Sequence, residues 1–301
     1  MPLDFSIIVP TYNRPRDLGC CLESLASLDF PKDRFEVIVI NDGGSLSVAP
    51  VVSRWADTLL ITTLHEANGG PAMARNFGAR VASGTYLAFT DDDCVPAPGW
   101  LSALLEVLRE EPGAMAGGRT INALEDNPYS AASQLIVDLV YDHYNAQPRQ
   151  AQFFATNNLA LSAAQFRTLG GFDTNFRTSE DRDLCDRWAG AGYQIVFVPD
   201  AVVYHAHNLS FSTFWMQHIG YGRGARHFYL THQLRDRGSS TISCNFYWRL
   251  LQQLPRALRG KLRPWYLTFL MAVWQLANFV GFALETLFPR RATSFAPRID
   301  R

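Results

Sequence analysis

Apolar strands alternate with helices through the first 120 residues, and this alternation restricts the fold more than any other feature. Short apolar runs predict strands over 5–9, 35–40, 58–62, 86–90 and 114–119. The segments between them predict helices over 16–28, 47–56, 71–82 and 99–110. Such alternation is typical of an α/β fold in which helices cover both faces of a mostly parallel sheet.

The rest of the chain divides at residue 208. Up to that point a less regular pattern predicts helices over 128–145, 163–169 and 180–191, and strands over 153–161 and 194–198. Beyond it an aromatic-rich helix over 210–235 precedes basic and hydrophobic segments. We therefore expect one domain over 1–208, made of halves 1–120 and 121–208, and a helical C-terminal region over 209–301.

Three consecutive aspartates, Asp91, Asp92 and Asp93, follow the strand predicted over 86–90. Open α/β sheets bind their ligands at the carboxyl ends of strands. Buried, unpaired carboxylates would cost several kcal/mol, so these acids need water, hydrogen-bond donors or a cation. Oxygen ligands suit Mg²⁺ and Mn²⁺. The motif therefore predicts a divalent-metal site, with a solvated acidic turn as the alternative.

The turns after the first two strands narrow the class of nucleotide that can bind. The first strand ends in PTYNRP over 10–15. A dinucleotide-binding Rossmann unit would need GxGxxG at this turn, so its absence argues against a simple dehydrogenase. The second strand ends in NDGG over 41–44, whose acid, Asp42, could bind a ribose or a base. An ordinary turn is the alternative for that segment.

Seven motifs follow one another along the chain: PTYNRP (10–15), IND (40–42), NGGPAMARNFG (68–78), DDD (91–93), GGFD (170–173), EDRDLCDRWAGAGY (180–193) and VYH (203–205). This ordered set closely resembles family 2 of the inverting nucleotide-sugar glycosyltransferases, and it covers roughly residues 3–208. The resemblance implies a GT-A fold, a Rossmann-like mixed sheet flanked by helices. It also implies transfer of one sugar from a nucleotide donor to a saccharide or lipid-linked acceptor by single displacement.

The resemblance assigns roles to individual residues. The metal, Mn²⁺ or Mg²⁺, would be bound by Asp91, Asp93 and His205, with His207 as the competitor of His205. The nucleotide sugar would contact Pro10, Thr11, Asn13, Asp42, Asn68, Arg75, Asp91 and Asp92. Asp92 is the variable middle position of its motif and could instead be structural, and Arg75 could be an ordinary helix-surface residue. Asp42 could accept the N3–H of uracil or thymine, which favours UDP or dTDP.

Catalysis and acceptor binding fall on the second half of the domain. Inversion requires one base that deprotonates the acceptor hydroxyl. The resemblance gives this role to Asp181, with Glu180 as a neighbour that orients it or contacts the acceptor. The alternative is that both acids only complement the dipole of a helix N-terminus. The acceptor wall would include Asn157, Asn158, Gly171 and Phe172.

Two other function classes remain open at this stage. A sugar-1-phosphate nucleotidyltransferase should carry a Gly-rich loop with Arg and Lys after the first strand, and PTYNRP does not match it. A non-catalytic membrane-associated scaffold could keep the same fold, but the acidic motifs and His205 argue against it. The QxxRW signature of processive polysaccharide synthases is absent, which favours addition of a single sugar.

The C-terminal region suggests a membrane. Trp265 to Leu284 carries no charge and is long enough to cross a bilayer. Its polar residues share one face, which fits a spanning, an interfacial or a docked helix. The preceding basic amphipathic stretch suits an anionic leaflet. We therefore expect residues from about 246 to 288 to hold the domain at the inner membrane.

Charge and cysteine content indicate the compartment. The formal net charge of −1 argues against nucleic acid as a general partner. Five scattered cysteines without a CxxC pair fit a reducing compartment. The chain enters its first strand at Phe5, which leaves no room for a signal peptide. These features predict a cytoplasmic protein, located at the cytoplasmic face of the inner membrane.

Overall fold

A single eight-stranded mixed sheet forms the centre of the molecule. The computed structural model describes residues 2–235, 252–260 and 263–289. The strands are β1 (Phe5–Thr11), β2 (Phe35–Asp42), β3 (Ile61–Glu66), β4 (Tyr86–Phe89), β5 (Cys94–Pro96), β6 (Met115–Asn122), β7 (Leu159–Ser162) and β8 (Ile195–His205). Their order across the sheet is β3-β2-β1-β4-β7-β6-β8-β5.

Helices cover both faces of this sheet and continue beyond it. They are α1 (Pro15–Ala26), α2 (Ala49–Val52), α3 (Pro71–Val81), α4 (Trp100–Glu110), α5 (Pro128–Tyr144), α6 (Ala163–Thr168), α7 (Glu180–Gly190), α8 (Phe211–Leu234), a helical stretch over 252–257 (α9) and α10 (Pro264–Leu287). One buried cluster packs α1 and α4 against the sheet, and a second packs α3, α6 and α7 against its other face. A third cluster joins α5, α8 and α10.

The α/β fold class predicted from the sequence is confirmed, and the mixed sheet of a GT-A fold is present. Strands β3, β2, β1 and β4 run parallel, whereas β7 is antiparallel to both of its neighbours. The first four strands are thus parallel as expected, and the antiparallel pairings involve β7 and the short strand β5, which is antiparallel to β8. Because β1, β2 and β4 are parallel and adjacent, their carboxyl ends place Thr11, Asp42 and the three aspartates along one edge.

Several predicted boundaries shift. The strand expected over 58–62 begins at Ile61 instead, and the one expected over 153–161 shortens to β7 behind a 3₁₀ turn at Thr156–Asn158. The strand expected over 194–198 continues to His205. Its pairing with β6 jumps from Gly118 opposite Val198 to Arg119 opposite Val202, so the intervening residues form an irregularity instead of ending the strand.

Helices α8 and α10 cross with their backbones in contact. A Cβ at Gly222 of α8 would lie 2.1 Å from the Asn278 carbonyl oxygen, and a Cβ at Gly281 of α10 would lie 2.1 Å from the Ile219 carbonyl oxygen. Glycine destabilises a helix interior by about 1 kcal/mol relative to alanine. Here the absence of a side chain at both glycines allows the two backbones to approach closely. Arg223 of α8 also pairs with Glu285 of α10 at 3.1 Å. The two helices therefore form one tightly joined unit.

Replacing Gly281 by Leu should separate these helices. The new side chain has no space against the Ile219 carbonyl, so we expect a loss of about 1–3 kcal/mol in the free energy of unfolding. Ala272→Leu is the matched control, because Ala272 lies on the exposed face of the same helix. Thermal denaturation of both variants measures the difference, and equal midpoints would contradict the close crossing.

The amphipathic stretch predicted before α10 is described only over 252–260, which includes Arg256 and Arg259. Trp248, Arg249 and Lys261 of that stretch lie outside the described residues, as do Arg290 and Arg291 after α10. Within α10, the polar face noted in the sequence is directed mainly towards the protein, through Gln275, Asn278 and Glu285. Of the spanning, interfacial and docked arrangements considered for α10, the contacts of its polar face therefore correspond to a helix docked on the protein.

Candidate active site

One cavity of about 1540 Å³ opens at the carboxyl ends of β1, β2 and β4. Helices α5, α7, α8 and α10 complete its walls. Most of the predicted site residues line it, namely Pro10, Thr11, Asp42, Arg75, Asp91, Asp92, Asp93, Asn157, Glu180, Asp181 and His205. The fold therefore brings together residues that the sequence places in two separate halves.

Asp92 is the most enclosed of the three aspartates. Its side chain is fully buried, accepts a hydrogen bond from Thr11 Oγ1 at 2.7 Å and lies 3.0 Å from Arg14 Nη2. Burial raises the pKa of Asp92 to about 7, although Arg14 and Thr11 act in the opposite direction. These contacts support the structural reading of this middle position.

Asp93 meets His205 because of strand pairing. Cys94 of β5 pairs with His205 of β8, which brings His205 Nε2 to 3.3 Å from Asp93 Oδ1. Arg14 Nη1 donates to Asp93 Oδ2 at 2.7 Å. Burial opposes ionisation of Asp93, but His205 and Arg14 outweigh it and hold the pKa of that carboxyl well below its usual range. Burial likewise opposes protonation of His205, but Asp93 outweighs it and raises the pKa of the imidazole.

The donor set around Asp93 fits a divalent cation. Ligand atoms of Asp93, Cys94 and His205 lie within 4.8 Å of one another. Burial raises the pKa of the Cys94 thiol well above its usual value. A thiolate is also a soft ligand, which suits Mn²⁺ and Mg²⁺ less than oxygen ligands do. A carboxylate with an imidazole nitrogen suits Mn²⁺ in particular. Asp91, the third metal ligand predicted from the sequence, is not part of this group and pairs with Arg75 in the structure.

His207 is the less suitable of the two histidines. Its ring stacks on His205 with centroids 4.9 Å apart, and its backbone carbonyl accepts a hydrogen bond from Ser130. Burial and the neighbouring His205 lower the pKa of His207 to about 4. Among the described residues, His205 is the histidine in hydrogen-bond contact with an aspartate of the motif.

Arg75 joins the aspartates to the predicted base. It is 4% exposed, so it is not an ordinary surface arginine of α3. Its guanidinium donates to Asp91 Oδ1 at 2.6 Å and to Glu180 Oε1 at 3.0 Å. A buried arginine shared by two carboxylates fixes their separation and is well placed to contact a phosphate.

Asp181 lies in the first turn of α7 and faces the cavity. Burial, and then the charge of Glu180, raise the pKa of Asp181 to about 7. The preceding residue, Ser179, has a left-handed backbone with φ of 69°. Such conformations in non-glycine residues are costly and concentrate at functional sites. The strained turn sets the direction in which α7 presents its acids.

Two residues predicted to contact the nucleotide, Asn13 and Asp42, accept hydrogen bonds from neighbouring loops at the carboxyl edge of the sheet. Asn13 accepts a hydrogen bond from Leu46 N at 3.0 Å and lies outside the cavity lining. Asp42 lines the cavity, but its two oxygens accept from Gly69 N and Gly70 N at 2.7 and 3.0 Å. Asp42 thus orders the loop before α3. Asn68 is exposed beside that loop and also lies outside the lining.

The predicted acceptor residues separate into two groups. Asn157 lines the cavity. Asn158, Gly171 and Phe172 lie behind it: Asn158 bonds to Trp100 and to the Arg119 and Ala201 carbonyls, and Phe172 packs on Phe89 and Phe166. Any effect of these three residues on an acceptor would be indirect.

Sequence reasoning missed two contributors to the site. Arg14 belongs to PTYNRP and contacts two of the aspartates, yet the motif alone gives it no role. Helix α8 supports the turn before α7: Thr178 Oγ1 donates to the Gly220 carbonyl at 2.8 Å, and Gly224 packs on Ser179. Glycines at 220, 222 and 224 of a helix were the available signal, because alternate glycines in a helix indicate close packing.

Comparison with known proteins gives the family. The family model of Glycosyl transferase family 2 matches residues 6–170, more than half of the chain. The chain therefore belongs to glycosyl transferase family 2, and the resemblance found in its motifs is confirmed.

Curated relatives agree on the class of enzyme. A pre-mycofactocin glycosyltransferase of Mycobacterium tuberculosis is 27% identical over 226 residues, which cover 74% of this chain and 47% of that protein. The glycosyltransferase AglE of Haloferax volcanii is 29% identical over 208 residues, covering 66% of each. The chain thus matches about half to two thirds of the length of these relatives.

Solved structures share the fold along nearly the whole chain. The mannosyltransferase PcManGT from Pyrobaculum calidifontis, in complex with GDP-Man and Mn²⁺, aligns with a TM-score of 0.68 at 21% identity, covering 97% of this chain and 90% of that one. The S. aureus TarS fragment 1–349 in complex with UDP aligns with a TM-score of 0.53 at 18% identity, covering 95% and 92%. At these identities the likeness concerns the fold.

Proposed function

We propose that this glycosyltransferase is metal-dependent and inverting, and that it adds one sugar from a nucleoside-diphosphate donor to an acceptor hydroxyl. One observation carries the proposal: the carboxylates of Asp91 and Asp93 and the predicted base, Asp181, line the same cavity, and Arg75 bridges Asp91 to the neighbour of that base. The donor would thus lie between the groups that hold its diphosphate and the group that activates the acceptor.

The residues of the chain divide this work. Asp91, Asp93 and His205 would hold a divalent cation, which supplies Lewis-acid neutralisation of the diphosphate when bound. Arg75 orients Asp91 and Glu180 and offers its guanidinium to phosphate oxygens. Asp181, with a pKa near 7, accepts the proton of the attacking hydroxyl as the new bond forms. We also propose that residues 1–120 form the half of the domain that binds the donor and that residues 121–208 form the half that binds the acceptor.

The donor base and sugar are left to experiment. UDP or dTDP was favoured because of Asp42, but both oxygens of that carboxylate already accept backbone hydrogen bonds. PcManGT was solved with GDP-Man and TarS with UDP, so similar folds take different bases. Hydrolysis of a panel of UDP-, dTDP- and GDP-sugars with Mn²⁺ tests the proposal directly. Release of pyrophosphate from sugar-1-phosphate and a nucleoside triphosphate would indicate the nucleotidyltransferase alternative, and inactivity towards every donor would favour a scaffold.

The rate of transfer should rise with pH through about 7. Asp181 must be ionised to accept a proton, and burial and the charge of Glu180 raise its pKa to about 7, so the active form increases as pH rises through that region. The profile of kcat/KM between about pH 5.5 and 8.5 checks this expectation. Donor affinity, measured in parallel by calorimetry, is the control for titration of the diphosphate site. A flat kcat/KM profile would contradict the assignment.

We further propose that α10 associates with a membrane surface. Among the described residues it is the one helix long and apolar enough for a bilayer crossing, a criterion that core helices of soluble proteins also meet. Its inner face packs on α5 and α8, while Trp265, Phe269 and Leu276 on its outer face are 72%, 52% and 55% exposed. A helix with one face docked and an apolar face outward fits an interfacial position better than a spanning one.

Replacing Trp265, Phe269 and Leu276 together by Gln should weaken binding to anionic vesicles at least about tenfold, because each side chain would contribute roughly 1.5–3 kcal/mol of apolar burial. Co-sedimentation with vesicles of phosphatidylglycerol and phosphatidylcholine measures this. Leu46→Gln with Leu60→Gln is the matched control, since both leucines are about half exposed on the nucleotide half. Unchanged sedimentation of the triple variant would place the membrane contact elsewhere or exclude it.

A further inference from the structure

The wall of the cavity continues beyond the aspartates onto α8 and α10. We call this part of the cavity the outer arm and define it by Gln217, His218, Tyr221, Trp274 and Gln275, which all belong to the lining. Binding sites for small ligands are typically about 300–1,000 Å³, so 1540 Å³ leaves space beyond a nucleotide sugar. The outer arm lies outside residues 6–170, which the family model covers.

Buried polar atoms in the outer arm have no partner among the described residues. His218 is 2% exposed, and neither of its ring nitrogens makes a hydrogen bond. Gln217 Oε1 and Gln275 Nε2 are also buried without a partner. A buried polar group left unsatisfied costs about 1–3 kcal/mol, and such groups are uncommon in folded proteins. A ligand that offers hydroxyl groups would remove this cost.

Aromatic rings surround the same histidine. The His218 ring centroid lies 4.4 Å from that of Phe214, 5.5 Å from Tyr221 and 6.4 Å from Trp274. Phe214 is fully buried behind the cavity, whereas Tyr221 and Trp274 line it. Such rings offer flat apolar faces to the C–H surface of a sugar, while imidazole and amide groups bond to its hydroxyls. The combination of faces and neutral polar groups therefore suits a saccharide.

Two other kinds of occupant fit less well. An alkyl chain would leave the nitrogens of His218 and the two amide atoms buried and unpaired. An anionic group would meet a neutral ring, because burial and then the proximity of His207 lower the pKa of His218 to about 3. The chemistry of the outer arm thus favours an uncharged, hydroxyl-bearing ligand.

The outer arm also adjoins the predicted base. Thr178 of the turn before α7 bonds to Gly220 of α8, and Gly224 packs against Ser179. Three residues of the arm, Gln217, His218 and Tyr221, lie on the helix that supports the turn before Asp181. A ligand in the arm could extend directly to an acceptor hydroxyl beside that carboxylate.

We propose that the outer arm is an acceptor subsite for an uncharged sugar unit next to the sugar that is glycosylated. This inference rests on the proposed transferase function and narrows the acceptor to a chain of at least two sugars. His218 would bind hydroxyl groups of the second sugar, and Trp274 or Tyr221 would contact its face.

The test compares acceptors on the full-length protein. The donor is the nucleotide sugar hydrolysed fastest in the panel described above, and the acceptors are methyl mono- and disaccharides of glucose, mannose, galactose and N-acetylglucosamine, with octyl monosaccharides for comparison. For wild type we expect KM for a disaccharide at least about fivefold below that for its monosaccharide, as one or two neutral hydrogen bonds would give. His218→Phe should abolish this difference and leave donor hydrolysis unchanged.

Three further variants make the result specific. His218→Gln keeps a donor and an acceptor and should retain part of the disaccharide preference. Gln275→Leu should lower that preference without altering His218. His227→Phe is the control on the same helix, because His227 packs on Phe176 outside the cavity, and it should behave as wild type.

The outcomes separate the inference from the function on which it rests. Wild type that hydrolyses no nucleotide sugar would refute the proposed function, and saturation-transfer NMR with the same saccharides would still test the arm. A preference for octyl chains without one for a second sugar, or equal effects of His218→Phe on both saccharides, would overturn the subsite. Absence of disaccharide contacts in the NMR experiment would overturn it as well.

Discussion

Asp181→Asn should lower turnover by roughly 10²–10⁴-fold while donor affinity stays close to wild type. The amide keeps the shape of the carboxylate, but it cannot accept the proton of the acceptor hydroxyl. Asp181 lines the cavity in the first turn of α7, and no salt bridge among the described residues holds it, so the substitution should disturb the fold little. Steady-state kinetics with calorimetric donor titration separates the two quantities.

Glu180→Gln is the informative companion to that variant. Glu180 accepts a hydrogen bond from Arg75, so its loss should weaken positioning and reduce turnover less than the loss of Asp181. If Asp181→Asn stayed active while Glu180→Gln were inactive, the two roles would be exchanged. The anomeric configuration of the product, read by NMR, should be opposite to that of the donor, and retention would refute single displacement.

Asp93→Ala should abolish metal-dependent donor binding and reduce turnover to background. Asp93 contacts both His205 and Arg14, and its low pKa keeps it ionised over the whole working range. Removing that charge deletes the central ligand of the predicted metal site. Calorimetric titration with Mn²⁺ and nucleoside diphosphate measures the loss, and EDTA should reproduce it on wild type.

Asp92→Asn is the control for that prediction. Asp92 is fully buried, accepts a hydrogen bond from Thr11 and forms an ion pair with Arg14, so we expect an effect on stability with donor binding retained. Full activity of wild type in EDTA would contradict the metal assignment. Loss of metal binding in Asp92→Asn but not in Asp93→Ala would move the site to the middle aspartate.

The parts of this molecule that could be predicted are those determined by local sequence. The apolar run of β4 followed by three acids predicts a strand end that faces a ligand site, and the structure ends β4 at Phe89 with the three acids lining the cavity. The start of α7 was equally readable, because Glu180 and Asp181 begin a helix after a polar turn. In both segments the sequence pattern that makes the prediction lies within the same few residues that form the structural feature.

The parts that could not be predicted depend on contacts between distant segments. Strand β5 has three residues and exists because it pairs with the end of β8, so no periodicity marks it. Pro199 and Asp200 resemble a strand end, whereas pairing with β6 carries β8 past them to His205. The role of α8 in the cavity wall follows from its crossing with α10, which composition alone does not indicate.

The glycine crossing of α8 and α10 has a consequence for how this enzyme could diversify. Because the two helices meet backbone to backbone at Gly222 and Gly281, they form one packed pair beside the sheet that carries the predicted donor-binding residues. Substitutions at Gln217, His218 or Gln275 could remodel acceptor choice without touching the aspartates. Exchange of the α8–α10 pair between homologues would then change the acceptor preference, while the donor preference would remain that of the protein that supplies the sheet.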